Sequence, residues 1–93
     1  MNQSCFFVIM KKIMFYTYII QSKLTNEFYR GYTELDPNDR LKFHNKGTVP
    51  ATKEKRPWKL VWFAGFDTKQ KALNFEKYLK SGSGHAFSRK RFL

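Results

Sequence analysis

The sequence predicts an α+β fold: a small three-stranded antiparallel sheet flanked by helices, in the order β-β-α-β-α-α. Three observations carry this. Residues 14–22 (MFYTYIIQS), 27–33 (EFYRGYT) and 58–66 (WKLVWFAGF) are rich in β-branched and aromatic side chains and contain no proline. Two further segments are bracketed by helix start and stop residues, Asp36-Pro37 to Gly47 and Asp67-Thr68 to Gly82. No tract between them is long enough to divide the chain into domains, and no internal repeat is present.

The first run is apolar on both faces, which places it inside the sheet rather than at an edge. Thr25-Asn26 turn the chain, and the second run returns antiparallel, with Glu27 and Arg30 suited to an edge position. Asp36 then caps a helix over about 37–46, Pro37 takes its first position, Asp39 adds negative charge to its first turn, and Gly47 ends it. Residues 48–57 form a polar, basic loop. The third strand follows, with Trp58 and Trp62 on one face by simple alternation and both read as core. The second helix runs from Asp67 or Thr68 to about Ser81, and a short final helix starts near Ser83 or Gly84. Residues 14–93 make one domain, and residues 1–13 form an N-terminal extension, with Met10 or Met14 as alternative starts.

Eighteen lysines and arginines face seven acids across the 93 residues, for a net charge of +11. Such a field attracts polyanions, and together with 18% aromatic residues it points to nucleic acid. Cys5 is the lone cysteine, so an internal disulfide is excluded, and no Cys/His cluster of zinc type exists. No apolar run approaches the ~20 residues that span a bilayer, and neither CFFVIM nor IMFYTYII has the flanks of a secretory signal. A cytoplasmic protein without a membrane role is the expectation.

Several side chains stand out against their elements. On the second helix Ala72, Phe75 and Leu79 form an apolar stripe, and Glu76 lies within about 40° of Ala72 at 100° per residue. A carboxylate there needs a cation or donors. Either it serves a divalent ion, or it pairs with Lys80 one turn on. Tyr18 and Tyr29 share a sheet face if the hairpin loop has an even count, and Tyr16 joins them. Packing or proton transfer both suit such phenols. Arg40 and His44 are i,i+4 on a helix that has no apolar stripe. They form either a solvated face or a site that combines a forked phosphate donor with a proton carrier. Gly31 marks a close approach or a bulge. Lys53, Lys55 and Arg56 in the loop, with Lys80 and the Arg89-Lys90-Arg91 run, are assigned to phosphate contact.

These positions, in this order, resemble the GIY-YIG nuclease family. The likeness is to its short stand-alone bacterial members and to the amino-terminal nuclease domain of the excision-repair excinuclease. TYI at 17–19 and YRG at 29–31 stand for the two motifs, DRLKFHNKG for the helix after them, and RPWKLVWF and ALNFEKYLKSGSGHAF for the third strand and carboxylate helix. The likeness covers about residues 14–88. It implies a metal-dependent endonuclease that hydrolyses phosphodiester bonds, DNA ahead of RNA, in repair or processing. Tyr18, Tyr29, Arg40, His44 and Glu76 would be catalytic, and Glu76 would hold Mg²⁺ or Mn²⁺. Thr17 replaces the motif glycine, Arg30 an aliphatic residue, and His85 a frequent arginine. The rival reading is a non-catalytic nucleic-acid-binding module on the same fold. With no second domain to read sequence, weak sequence preference or a partner protein that supplies specificity is expected.

Overall fold

The structure is a computed structural model that describes residues 14–81. Strands β1 (Phe15–Ser22), β2 (Phe28–Thr33) and β3 (Trp58–Phe66) form one antiparallel sheet in the order β2-β1-β3. The doubly apolar β1 is central, because a central strand is covered on both faces. Helix α1 (Pro37–Lys46) follows β2, and α2 (Lys69–Leu79) follows β3. The final helix expected near Ser83, the extension 1–13 and Arg89-Lys90-Arg91 lie outside the described residues.

Local chemistry accounts for the helix ends. The Asp36 carboxylate accepts from the Asn38 N–H at 2.8 Å, and Gly47 closes α1 with φ +83°, a conformation only glycine adopts freely. Thr68 caps α2, accepting from the Lys71 N–H. The helices cover opposite faces of the sheet. One face, carrying Tyr18, Ile20 and Trp58, packs under α1 with Tyr29, Leu41 and Leu60. The other, carrying Thr17, Ile19 and Trp62, packs under Ala72, Phe75 and Leu79 of α2.

Trp58 and Trp62 therefore do not share a face, which corrects the alternation expected for β3. The register places Ile19 opposite Trp62 but Ile20 opposite Leu60, leaving Val61 as an extra residue. A bulge of one residue transfers everything beyond it to the other side of the sheet. Trp58 is thereby delivered to the α1 layer. There Asn45 clamps it, donating from Nδ2 to the Trp58 carbonyl (3.0 Å) and accepting the Trp58 N–H at Oδ1 (2.6 Å).

Candidate active site

Tyr18 on β1 and His44 on α1 meet at the centre of the α1 layer. The Tyr18 hydroxyl lies 2.7 Å from His44 Nε2, and His44 Nδ1 lies 2.7 Å from the Thr52 hydroxyl. Tyr18 is 1% exposed, and His44 and Thr52 are 0% exposed. A buried imidazole with both nitrogens engaged is no solvated helix face; α1 buries His44 where most helices bury an aliphatic stripe. The register pairs Tyr18 with Gly31 and Ile20 with Tyr29, so the two tyrosines do share a face. The loop of residues 22–27 between the paired Gln21 and Phe28 has the even count this requires. Tyr29 packs edge-on to His44 at 5.3 Å between ring centroids, and edge-on to Trp58. Tyr16 lies further along the same face, edge-on to Phe63.

Gly31 is not at a bulge. What approaches it is Tyr18 itself: a Cβ at Gly31 would stand 2.5 Å from both Cζ and the hydroxyl oxygen of that phenol. The missing side chain lets the ring lie flat across β2.

The electrostatics follow from this burial. Tyr18 is pushed up to about 12, chiefly because the interior disfavours a phenolate; the Arg40 guanidinium pulls the other way, and the charges of Tyr29 and Glu76 push up further. His44 is pulled down to about 4, first by burial and then by repulsion from Arg40. At neutral pH the pair is a neutral phenol against a neutral imidazole. Arg40 is half-buried, and its positive charge acts on both Tyr18 and His44.

Glu76 belongs to α2, on the opposite face of the sheet, yet its charge is felt at Tyr18. Adjacent residues of β1 link the two layers. Tyr18 reaches His44, while the Thr17 hydroxyl donates to the Ala72 carbonyl at 2.6 Å, one turn before Glu76. The Glu76 side chain is 21% exposed and accepts from Lys80 Nζ at 3.3 Å. The i,i+4 pair is thus present. Among the described residues no group of three or more His, Cys, Asp or Glu converges. The donor set suits a hard ion held by one carboxylate with water and phosphate oxygens, not a protein cage.

The basic loop is more ordered in its contacts than its composition suggests. Lys55 pairs with Glu27 at 3.0 Å, and Arg56 Nε donates to the Lys53 carbonyl at 2.7 Å, leaving Lys53 on an exposed turn. No described helix is long and apolar enough to cross a membrane.

A family model for the GIY-YIG catalytic domain matches residues 14–90. The chain belongs to the GIY-YIG family. It carries that family's nuclease-type domain over residues 14–90. It is 39% identical over 64 residues to UPF0213 protein YazA of Bacillus subtilis, covering 68% of this chain and 63% of that protein. It is 36% identical over 67 residues to a UPF0213 protein of Pediococcus pentosaceus, covering 71% of this chain and 68% of the relative. It is also similar to the solution structure of a UPF0213 protein from Bacillus halodurans, with 30% identity, 85% of this chain and 87% of that one covered, and a TM-score of 0.48.

Two of the departures from the GIY-YIG pattern can be placed in the fold. Thr17 ties α2 to the central strand through its hydroxyl, work a glycine would leave undone. Arg30 pairs with Ile19 and so points to the face away from Tyr18 and Tyr29. Its guanidinium sits 5.9 Å from the Phe28 ring centroid, and burial pulls its pKa down. His85 lies outside the described residues. Two residues of the site escaped the sequence reading. Thr52 offers no sequence signal, being one polar residue in a polar loop. Asn45 sits in the HNKG stretch that ends α1, but its partner is 13 residues away across the fold.

Proposed function

We propose that this protein is an endonuclease that hydrolyses phosphodiester bonds, in DNA ahead of RNA, with Glu76 holding Mg²⁺ or Mn²⁺. The observation that carries the reading is the buried 2.7 Å hydrogen bond between the Tyr18 phenol and His44, set in the field of the Arg40 and Glu76 charges.

Bound at Glu76 with water and substrate phosphate, the ion would supply charge neutralisation and polarisation of phosphorus. Arg40 hydrogen-bonds the phosphate as charge builds on it. Tyr18 takes a proton from the attacking water at its hydroxyl oxygen while its own proton passes to His44 Nε2 across the 2.7 Å bond. An incoming phosphodiester also cancels the Arg40 charge that opposes protonation of His44, so substrate binding raises the basicity of the pair. Tyr29 orders the water side of the site. Lys53 and its loop neighbours, with Lys80, carry phosphate contacts away from the reacting bond, and a role in DNA repair or processing belongs to the same proposal.

The test is a panel of labelled DNA and RNA structures incubated with Mg²⁺ or Mn²⁺. The wild type is expected to cut at least one, while Glu76→Ala and Arg40→Ala bind it and lose about 10²–10³ in rate. Cleavage at the wild-type rate by both variants refutes the assignment. Salt-dependent binding with no product from any substrate selects the non-catalytic module instead.

A further inference from the structure

His44 has two engaged nitrogens, and hydrogen positions follow from satisfying every buried donor. The Tyr18 O–H is buried, and the acceptor within reach among the described residues is His44 Nε2 at 2.7 Å. If Nε2 carried the ring proton, it would donate to the phenol oxygen, and the phenol proton would be left without an acceptor among the described residues. With the ring proton on Nδ1 every donor is placed. The phenol donates to Nε2, Nδ1–H donates to the Thr52 hydroxyl at 2.7 Å, and that hydroxyl donates to the Val49 carbonyl at 3.4 Å.

Thr52 is itself held in place. Its backbone N–H donates to the Val49 carbonyl at 3.1 Å, its own carbonyl accepts the Trp58 indole N–H at 2.8 Å, and none of its surface reaches solvent. Trp58 is in turn clamped by Asn45 of α1. A loop residue is thereby fixed to the helix that carries the histidine.

We propose that Thr52 is a positioning residue that sets the tautomer of His44, holding the proton on Nδ1 so that the Nε2 lone pair faces Tyr18. The catalytic consequence rests on the nuclease reading above; the tautomer itself does not. A ring with Nε2–H has no lone pair toward the phenol and receives no proton from it. Thr52 touches neither phosphate nor water in this scheme and acts only through the ring.

Long-range ¹H–¹⁵N NMR of the full chain at neutral pH reads the tautomer directly, with the His44 signals assigned by their loss in His44→Gln. The wild type and Thr52→Ser are expected to carry the proton on Nδ1. Thr52→Val, which has the same shape without an acceptor, is expected to move proton population to Nε2. Its cleavage rate should fall about 10- to 100-fold, as when a partner that orients a metal-bound histidine is lost, and serine should recover most of it. A proton on Nε2 in the wild type overturns the inference whether or not the valine variant folds. Retention of Nδ1–H in a folded Thr52→Val overturns it too. A tautomer shift in a protein that cuts nothing upholds the role of Thr52 and removes the nuclease reading. A shift with an undiminished wild-type cleavage rate overturns the catalytic consequence.

Discussion

Replacing Gly31 with alanine is the most economical probe of the site, because it adds one methyl at a known place. The new Cβ would lie 2.5 Å from Cζ and from the hydroxyl oxygen of Tyr18, and 2.9 Å from Cε1, where ordinary contact begins near 3.4 Å. The ring would have to withdraw by about 0.9 Å, and it has nowhere free to go, being buried on a central strand. A displacement of that size, whether it stretches, compresses or tilts the bond, spoils the 2.7 Å geometry with His44. Overpacking costs about 1–3 kcal/mol and an unpaired buried hydroxyl about 1–3 kcal/mol. The two overlap, so Gly31→Ala should destabilise by about 2–4 kcal/mol, a large part of the ~5–15 kcal/mol of a small domain. Urea titration measures this, and single-turnover cleavage should slow by about 10²-fold, as a 1 Å misplacement does. A variant within about 0.5 kcal/mol of the parent, cutting at the parent rate, refutes the packing of phenol on glycine. The stability arm is independent of any nuclease activity.

Two further outcomes follow from the same geometry. His44 sits at about 4 in the fold, below the ~6.5 of an unfolded chain, so folding favours its neutral form. Its contribution is whole above pH ~6.5 and is lost as pH falls toward 4. It amounts to about 3 kcal/mol, read as the difference between the unfolding free energies of wild type and His44→Gln across that window. Parallel pH profiles for the two proteins contradict the buried neutral ring. Lys80→Met frees the Glu76 carboxylate from a part-exposed ion pair worth at most about 0.5 kcal/mol. The Mg²⁺ concentration for half-maximal cleavage at saturating DNA should drop about twofold, by the conversion of that energy to an equilibrium constant. An unchanged or higher requirement shows that Lys80 does not compete for the metal ligand.

The three strands and both described helices lie within about two residues of where residue pattern and capping placed them. Those signals are local: side-chain alternation, Asp36 and Thr68 at the helix starts, Gly47 at a left-handed end. The candidate residues were visible for a related reason. Arg40 and His44 share a helix face by spacing alone, Tyr18 and Tyr29 a sheet face by parity, and Glu76 stood out as a charge beside an apolar stripe.

Which of two readings held at each position was another matter, and there the tertiary structure decided. Nothing along the chain announces the bulge at Val61, since Leu60, Val61 and Trp62 are all apolar and fit either face; pairing with β1 sends Trp58 and Trp62 to different layers. Thr52 and Asn45 become parts of the site only because the loop folds back onto α1 and β3. Periodicity reports the direction a side chain takes from its own backbone. Burial, hydrogen-bond partner and protonation state depend on which distant segment arrives there, and that is set by the packing of the whole chain.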